Sequence, residues 1–527
     1  MRASLFGVAL LGGVGCHRTE DPQPVEDPSP ESLVAPAELV AVPNLDDDDE
    51  DGVSDWAQGG GAAGENDLQA LTLTSGAGTI VLTLSGEARV WLDGALVLSV
   101  DAPTATLDTD GALALGVEMP DFVSEASLQV VWAGDAGDAG EAQIALRGAP
   151  LILNHHLQPA EMIYAMSGSY NTEMIASLTD TLGDFFTSYA LREYNRDVWI
   201  QDEIEFGTAT SEGHRLDVIL DSVRTQNDYG LDALPEEQLA GPDVYIHTWG
   251  EGRATAQDYF GNVELTPPLT ANGVTYPFGR IYYGAWDSDT GAGGGPKQEV
   301  RDLFEAQGVQ DPFTLDVRWL CVGHVDEFMS FIPDPTAPRG FRLLFADTRL
   351  GRTFLEGLDP EGALTRFATG HGYPTVGSML DDAELWAYND EIQADYLDGY
   401  LEIMRAEIEL TDEEIIAIPA AFEQNDYCGG YGLALIPGTA NLTVAQIEDD
   451  GPVHLFIPDP FLREDVDDQG ADPFIAAVDA LLPASVEPHW LDDWELYHMA
   501  WGEVHCGSNA RRTPTDQAWT LAPGEQE

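Results

Sequence analysis

Basic residues are scarce in this sequence. Its 527 residues include 22 Lys and Arg against 93 Asp and Glu, which gives a formal net charge of −71. A chain this acidic is repelled by phosphate backbones and by anionic membrane surfaces, so its composition argues against general nucleic-acid binding. The acidic excess favours cationic ligands such as Ca²⁺ or arginine-rich polypeptides, although a surface adapted to salty surroundings has the same composition.

Long hydrophobic runs and phosphate-binding glycine motifs are also missing. The apolar run near the start is too short to span a bilayer, and no later run reaches the length of a transmembrane helix. Neither a Walker phosphate loop nor a dinucleotide fingerprint is present. The hydrophobic fraction of 44% is ample for packed cores, which argues against wholesale disorder.

Cysteine is rare as well, and the four cysteines are Cys16, Cys321, Cys428 and Cys506. Residues 1–16 place one Arg, an apolar run and small residues before Cys16, which resembles a bacterial lipoprotein signal cleaved before a lipidated cysteine. Gly13 stands where Leu is usual, and plain secretion is the alternative. We expect an exported protein, lipid-anchored to the bacterial envelope or secreted. Lipidation would leave three cysteines, an odd number that predicts a poor disulfide framework and a free reactive thiol.

Changes in composition predict three regions after residue 16. Residues 17–40 are rich in Pro, Glu, Ser and Asp, which predicts a disordered linker. Residues 41–148 contain short alternating runs split by Gly, Asp and Ser, which are typical of an antiparallel β-sandwich. Residues 149–527 alternate strand-like runs with helical patterns, as at 299–307 and 382–410, and predict one large α/β domain.

An acidic loop precedes the predicted sandwich. Asn44, Asp46 and Asp48 stand at alternate positions before Gly52, and such residues can wrap oxygen ligands around Ca²⁺. The spacing is not that of an EF-hand, and a solvated acidic run is the alternative.

Polar residues also concentrate in the segment 195–207. If this segment is a strand, alternation puts Gln201, Glu203 and Glu205 on one face, where they suit a hard cation. Asp202 then faces the other side, close in sequence to Trp199, and a carboxylate beside an aromatic plane suits a guanidinium. An exposed acidic strand face is the alternative.

Two further segments carry candidate catalytic groups. His324 and Asp326 are two residues apart, so an extended chain would point an acid–base group and a carboxylate the same way. Cys506 stands next to Gly507 among polar residues and is a credible nucleophile. Each residue alone is more often a structural part of a core.

Together, in this order, the three segments resemble the calcium-dependent protein-arginine deiminases of the pentein superfamily. The motifs are W-I-Q-D-E-x-E at 199–205, G-H-V-D-E-F at 323–328 and E-V-H-C-G-x-N at 503–509. The resemblance implies a five-bladed α/β propeller for residues 149–527, preceded by an immunoglobulin-like, calcium-binding β-sandwich at 41–148.

The resemblance implies the following catalytic roles. Cys506 attacks the guanidinium carbon of a peptidyl arginine, Asp202 and Asp326 clamp the guanidinium nitrogens, and His324 acts as general acid and then as general base. Ammonia leaves, a covalent thiouronium remains, and water activated by His324 releases citrulline. Trp199 is expected to form a wall of the arginine slot.

The resemblance also implies Ca²⁺ as the cofactor. One site would use the side chains of Gln201, Glu205 and Glu264 and the backbone carbonyls of Phe260 and Val263. A second site would use Glu203, Asp221 and the Ser222 carbonyl, with Thr225 where the family has Asn. The acidic loop resembles the family's additional calcium region through Asn44, Asp46 and Asp48, with Asp55 and Asp67 as further candidates.

Two departures from the family pattern concern the substrate. The family's Arg-x-Arg reads Arg224-Thr-Gln226 here, so Arg224 alone is left to bind the substrate backbone, and another family Arg is Ala500. The loss of two cationic groups near the mouth would make room for more basic substrates.

Two other functions remain open at this point. The same residues would serve a deiminase of free arginine, agmatine or a related small guanidine, although such relatives generally lack the calcium ligands and the sandwich. An inactive calcium-binding surface lipoprotein is the second alternative, and the presence of all four catalytic residues argues against it. The predicted partners are therefore arginine-containing proteins or peptides, with membrane anchoring through a lipidated Cys16.

Overall fold

The computed structural model describes residues 32–49, 51–59, 67–224, 230–249, 254–287, 293–447 and 451–515. The predicted signal at 1–16, most of the predicted linker, and Thr225 and Gln226 lie outside the described residues. Within these ranges no helix combines the length and the apolar character needed to cross a membrane.

The described part of residues 32–148 forms nine strands and one short helix. The strands are β1 (Glu38–Ala41), β2 (Gln69–Thr74), β3 (Gly78–Gly86), β4 (Arg89–Leu92), β5 (Ala95–Leu98), β6 (Thr104–Thr109), β7 (Ala112–Glu118), β8 (Glu125–Gly134) and β9 (Ala139–Gly148), and the helix is α1 (Asp55–Gln58).

These strands form two sheets that share one core. The sheet orders are β1-β9-β8-β3-β6 and β2-β7-β4-β5. Alternate side chains of β2 and β3 are buried, because successive residues of a strand point to opposite faces of its sheet. Leu73 and Val117 of one sheet and Ile80 and Trp132 of the other lie in the same hydrophobic core.

Residues 32–40 correct part of the linker prediction. Val34 forms a β-bridge with Thr74, and β1 pairs in parallel with β9. Leu33 and Ala35 also pack against the core between the sheets. The sequence did not reveal this strand because four residues within a Pro-rich and acidic stretch give too short a pattern.

The described residues from 149 onward form a mixed α/β region, as predicted. Its strands are β10 (Ile152–Leu153), β11 (Ala160–Ser167), β12 (Phe186–Ala190), β13 (Ile204–Ser211), β14 (His214–Asp221), β15 (Val244–Thr248), β16 (Val263–Leu265), β17 (Leu269–Ala271), β18 (Val274–Tyr276), β19 (Ile281–Gly284), β20 (Phe313–Leu315), β21 (Met329–Pro333), β22 (Phe341–Asp347), β23 (Ile415–Pro419), β24 (Phe422–Asn425), β25 (Tyr431–Ala434), β26 (Thr443–Gln446), β27 (Val453–Pro458), β28 (Val486–Leu491) and β29 (Ser508–Arg512).

The helices of this region lie between its strands. They are α2 (Thr172–Leu182), α3 (Ile200–Glu203), α4 (Gln298–Gln307), α5 (Thr348–Glu356), α6 (Thr365–Gly370), α7 (Val376–Leu380), α8 (Ala383–Ile392), α9 (Asp398–Ile408) and α10 (Pro473–Asp479). The pattern at 299–307 corresponds to α4. The pattern at 382–410 corresponds to α8 and α9, which a π-helical turn at Gln393–Leu397 joins.

Five small sheets of this region repeat one topology within the described residues. Each contains an antiparallel pair and a further strand parallel to one member of the pair. The sheet orders are β12-β11-β29, β10-β13-β14-β15, β16-β19-β20, β21-β22-β23 and β26-β27-β28. Because β11 pairs with β29, the two ends of the region meet in one sheet, and segments distant in sequence converge.

Cys321 and Cys428 form a disulfide bond, with their Cα atoms 5.6 Å apart and a sequence separation of 107 residues. This corrects the expectation of a poor disulfide framework. The bond joins the loop before His324 to the turn between β24 and β25. Among the described residues, Cys506 is the free cysteine.

We expect Cys428→Ser to lower the free energy of unfolding of the oxidised protein by about 2–4 kcal/mol, because the crosslink restricts a long loop of the unfolded chain. Urea unfolding of the parent and the variant measures the difference. In reduced protein the same substitution should change the midpoint little. An equal effect in oxidised and reduced protein would show that the disulfide is not its cause.

Candidate active site

A helical turn, rather than the predicted strand, carries Asp202. Helix α3 ends at Glu203, and β13 follows directly. Gln201 and Glu205 come together across this turn, with Gln201 Nε2 2.8 Å from Glu205 Oε2, whereas Glu203 contacts Arg224 instead. The prediction of one shared face is therefore wrong, because a helical turn rotates successive side chains by about 100° and a strand by about 180°.

His324 and Asp326 also lie on a turn rather than on an extended chain. His324 precedes a 3₁₀ turn at Val325–Glu327. Glu327 accepts hydrogen bonds from the backbone N–H groups of Gly323 and His324, at 3.0 and 2.8 Å. The turn brings His324 Nδ1 to 3.5 Å from Asp202 Oδ1, so the two motifs do meet.

Asn441 positions the segment that carries Cys506. Its Oδ1 accepts hydrogen bonds from the backbone N–H groups of His505 and Cys506, at 3.1 and 3.2 Å. Its Nδ2 donates to Cys506 Sγ at 3.2 Å. Asn441 was not predicted, because it stands 65 residues before the cysteine and belongs to none of the three motifs.

Acceptor atoms surround the Cys506 thiol. Its Sγ lies 3.4 Å from Asp326 Oδ2. Asp202 Oδ1 and Asp326 Oδ1 are buried and accept no hydrogen bond from any described residue, and the nearest charged neighbour of Asp202 Oδ1 is His324 Nδ1 at 3.5 Å. Buried acceptors without donors are costly, so this arrangement suits a ligand that brings both donors and positive charge. A guanidinium has five N–H donors and no acceptor.

Gly261 leaves room for these groups to converge. A Cβ atom at this position would lie 2.6 Å from His324 Nδ1, 2.9 Å from Asp202 Oδ1 and 3.2 Å from Asp326 Oδ2. Only a residue without a side chain allows all three to approach this point. The sequence analysis missed Gly261, because one glycine in a loop does not show what its backbone approaches.

The electrostatics keep the nucleophile as a neutral thiol in the absence of a ligand. Burial raises the pKa of Cys506 well above its usual value, and the charges of Asp326 and Asp202 raise it further. Burial also raises the pKa of Asp202 to about 6, although His324 opposes the increase. A cation held by the two carboxylates would favour the thiolate, since it offsets the nearby negative charge.

A cavity of about 290 Å³ opens beside the nucleophile. Asn441 and Gly502 line it, and a Cβ atom at Gly502 would lie 3.2 Å from Cys506 Cβ. The side chains that line the cavity and are exposed to solvent are Tyr427, Met499 and Trp501. Its carboxylates are Glu327, Glu423 and Glu503, and none of its described lining residues is Lys or Arg.

The two predicted substrate-binding residues lie in different environments. The Trp199 ring packs edge-on against Tyr497 and approaches Gly502, so it stands beside the cavity. Arg224 is 1% exposed, and its guanidinium lies 2.7 Å from Glu203 and 3.1 Å from Asp197. Arg224 is therefore buried in an ion-pair network and does not line the cavity.

Gln201, Glu205 and Glu264 meet the backbone carbonyl of Phe260 close to the catalytic groups. Gln201 Nε2 lies 2.8 Å from Glu205 Oε2 and 3.4 Å from the Phe260 carbonyl oxygen, and rotation of the amide would turn its oxygen to the same point. Burial raises the pKa of Glu205 to about 8, with a further contribution from Glu264, and that of Glu264 to about 7. Val263 lines the small cavity here. Two buried carboxylates that His505 and Arg512 compensate only in part, among neutral oxygen donors, fit Ca²⁺.

Glu203 and Asp221 form a second buried acidic pair. The Ser222 backbone N–H donates to the Glu203 carbonyl at 2.8 Å, which holds the two segments together. Burial raises the pKa of Asp221 to about 9, with a further contribution from Glu203, and that of Glu203 to about 8. Among the described residues, Glu203 Oε1 and Asp221 Oδ1 have no hydrogen-bond partner. The pair fits a cation, although Arg224 already neutralises part of its charge.

The acidic loop brings its carboxylates together with a residue of the α/β region. Asn44 and Asp46 are buried. The ligand oxygens lie within 4.8 Å of one another in two overlapping groups, Asp46–Asp55–Asp67 and Asp46–Asp48–Asp243. Burial raises the pKa of Asp46 to about 7, and the charge of Asp67 contributes. The sequence analysis missed Asp243, because it stands far along the chain just before β15.

His505 contacts both Glu264 and the predicted catalytic carboxylate Asp326. Its Nδ1 lies 2.9 Å from Asp326 Oδ2, and its Nε2 lies 3.5 Å from Glu264 Oε1. Burial lowers its pKa, but Glu264 and Asp326 together raise the pKa of His505 above its usual value. One imidazole therefore contacts both a predicted metal ligand and the carboxylate beside the thiol.

Comparison with known proteins identifies a family that includes these residues. The family described as Protein-arginine deiminase (PAD) matches residues 139–520, which include every residue gathered around Cys506. Human protein-arginine deiminase type-4 is 31% identical over 394 residues, covering 71% of this chain and 56% of that protein.

Two further relatives give similar values. Type-4 from Rattus norvegicus is 33% identical over 395 residues, covering 71% of this chain and 56% of the relative. Human protein-arginine deiminase type-3 is 31% identical over 458 residues, covering 80% of this chain and 64% of that protein. The chain therefore spans less than two thirds of the length of these relatives.

We expect the calcium-free protein to become less stable as the pH rises from about 5 to 8. The folded-state pKa values of Glu205 and Glu203, about 8, lie above their values in an unfolded chain. Their stabilising contribution is complete below the unfolded pKa and is lost as the pH rises through the folded pKa. Urea unfolding with a chelator present measures the trend.

Two variants make this prediction specific. Glu205→Gln should flatten the dependence by up to about 1.4 kcal/mol per pH unit, the contribution of one proton. Asp110→Asn changes an exposed carboxylate and should leave the slope unchanged. An equal slope in parent and Glu205→Gln would contradict the assignment.

Proposed function

The chain belongs to the protein-arginine deiminase family, and we propose that it hydrolyses the guanidinium group of arginine residues in proteins or peptides to citrulline and ammonia. The observation that carries this proposal is the pair of buried carboxylates, Asp202 and Asp326, each with an oxygen that has no hydrogen-bond partner among the described residues, beside the free thiol of Cys506. A planar cation that carries only donors satisfies these acceptors and places its carbon next to sulfur.

In the proposed reaction, Asp202 and Asp326 bind the guanidinium through charge-assisted hydrogen bonds and balance its charge. The bound cation lowers the pKa of Cys506, the thiol proton passes to His324, and the thiolate attacks the guanidinium carbon to form a C–S bond while a C–N π bond opens. His324 donates a proton to the departing nitrogen, which leaves as ammonia. His324 then removes a proton from water, the hydroxide attacks the thiouronium carbon, and the C–S bond breaks to give citrulline and free thiol.

The cavity favours arginine within a polypeptide over free arginine. Free arginine carries an α-carboxylate that requires a cationic partner, and none of the described lining residues is Lys or Arg. A peptide backbone is neutral and needs no such partner. Glu327, Glu423 and Glu503 also suit substrates with further basic residues.

We also propose the finer architecture on the basis of the family resemblance. The five sheets of repeated topology correspond to the five blades of a propeller, and the two packed sheets of residues 32–148 to an immunoglobulin-like domain. The lipid anchor on Cys16 and export are part of the same proposal. The Cys321–Cys428 disulfide supports export, because disulfides persist mainly in oxidising compartments.

Calcium is the proposed cofactor. Gln201, Glu205 and Glu264, with the carbonyls of Phe260 and Val263, would hold one ion. Glu203, Asp221 and the Ser222 carbonyl would hold another, and the acidic loop would hold more through Asn44, Asp46 and Asp48. Bound Ca²⁺ would supply positive charge that neutralises these carboxylates. The proposed ligands also position the catalytic groups. Gln201 and Glu205 flank Asp202 in the sequence, and His505 contacts both Glu264 and Asp326.

We expect citrulline release from a blocked arginine peptide to require both Ca²⁺ and Cys506. The assay compares the parent with Cys506→Ser, each with millimolar Ca²⁺ or with a chelator, and runs free arginine and agmatine alongside. Cys506→Ser should lose activity by at least about 10³-fold, because a neutral hydroxyl replaces the nucleophilic sulfur. Turnover confined to the small guanidines would assign the protein to that class, and no turnover in folded, calcium-loaded protein would favour a binding lipoprotein.

Gly261→Ala should reduce kcat/KM for the peptide by about 100-fold or more, because the added methyl group displaces His324 and both carboxylates from their shared point. The matched control is Gly241→Ala, where an added Cβ meets no atom within 4 Å. Circular dichroism and melting temperature establish that both variants fold. Full activity in Gly261→Ala would contradict the proposed position of the guanidinium.

A further inference from the structure

We propose that His156, His505 and Glu264 form a binding site for a transition-metal ion such as Zn²⁺. His156 Nε2 lies 3.4 Å from Glu264 Oε2, and His505 Nε2 lies 3.5 Å from Glu264 Oε1. The three ligand atoms all lie within 4.8 Å of one another. Two imidazoles and one carboxylate are a ligand set that Zn²⁺ accepts, with water in the fourth position.

The second nitrogen of each imidazole is already engaged, which turns Nε2 toward the common point. His505 Nδ1 lies 2.9 Å from Asp326 Oδ2, and His156 Nδ1 lies 3.1 Å from Ser330 Oγ. Metal-bound histidines usually make such a contact through the nitrogen that does not bind the metal. This arrangement shares Glu264 with the acidic cluster but differs from it by the orientation of the two imidazole rings.

These side chains line a buried cavity of about 30 Å³. A water molecule needs roughly 10–15 Å³ of such space, so the cavity holds an ion with its water rather than two hydrated ions. Asn154 also lines it, is 6% exposed, and has no hydrogen-bond partner at Nδ2. Arg512 lines it too, but its guanidinium donates to the backbone carbonyls of His156, Gln158 and Val444.

The ligand chemistry separates this site from the proposed calcium site. Ca²⁺ takes oxygen ligands, whereas Zn²⁺ and Co²⁺ accept imidazole nitrogen. Glu264 belongs to both sets, so the two kinds of ion exclude each other. A transition metal should therefore inhibit the deiminase in competition with Ca²⁺. That inhibition depends on the proposed function, but the metal binding itself does not.

The experiment titrates Co²⁺ into the full chain after removal of calcium and follows the visible absorption of the metal. A second cluster, His454, Glu487 and His489, lies on neighbouring strands and would bind metal as well, so the titration uses a His489→Ala background. In this background we expect one Co²⁺ per chain, with the visible bands of a four- or five-coordinate nitrogen-ligated ion. Excess Zn²⁺ or millimolar Ca²⁺ should displace it.

His156→Asn in the same background should weaken Co²⁺ binding at least tenfold and leave Ca²⁺ binding unchanged in calorimetry. Unchanged Ca²⁺ binding also shows that the variant is folded. Co²⁺ binding of equal strength in His156→Asn would overturn the proposal.

X-ray absorption of the Zn²⁺-loaded His489→Ala protein gives a test that needs no further variant. Scattering from two imidazoles supports the site, and a shell of oxygen atoms alone overturns it. None of these measurements uses enzymatic activity, so the site and the deiminase function can fail separately.

Discussion

Buried carboxylates that lie close to one another are the constraint on which this structure depends. Asp202, Asp326, Glu205 and Glu264 all lie in the interior, with at most 8% of each residue exposed. Burial of an unpaired charge is far more costly than burial of a hydrogen-bonded polar group, so these residues must be protonated or neutralised by cations. The pKa of Glu205 is raised to about 8, which favours its protonated form at neutral pH, whereas the pKa of Asp202, raised to about 6, leaves this carboxylate charged. A cation that fits this interior therefore offsets part of the cost of the buried charges.

These four carboxylates form a cluster with two halves, Glu205 with Glu264 and Asp202 with Asp326. Each half suits a cation of different chemistry. The oxygen donors around Glu205 and Glu264 suit a metal ion, and the acceptors beside Cys506 suit a guanidinium. His505 lies between them and contacts a carboxylate of each half. When a metal neutralises Glu264, Asp326 remains the carboxylate that holds the imidazole, so occupancy of one half changes the electrostatics of the other. Such a link makes the metal and the substrate reciprocal ligands, since each alters the affinity for the other by the same factor.

The sequence predicted the chemistry of the site better than its geometry. The three motifs identified Asp202, His324, Asp326 and Cys506, and the structure brings them together. The local conformations were wrong at two motifs, because alternation in a strand and a helical turn are difficult to distinguish over four polar residues. Gly261 and Asn441 were missed because they act through contacts distant in sequence, and the same reason hid the Cys321–Cys428 bond. In the fold, long amphipathic helices and alternating strands were predictable, whereas β1 was too short to give a pattern.

Charge links the site to the composition of the whole chain. A formal net charge of −71 produces a negative potential that attracts basic polypeptides and speeds their encounter, and salt weakens this attraction. The same potential raises the local concentration of metal cations and hinders the ionisation of the Cys506 thiol. In the proposed function, a cationic substrate would be attracted to the site that its own charge activates, because the guanidinium would offset the carboxylates that hold the thiol neutral. An uncharged ligand of the same shape would gain neither effect, so the proposed arginine recognition and thiol activation would have the same electrostatic origin.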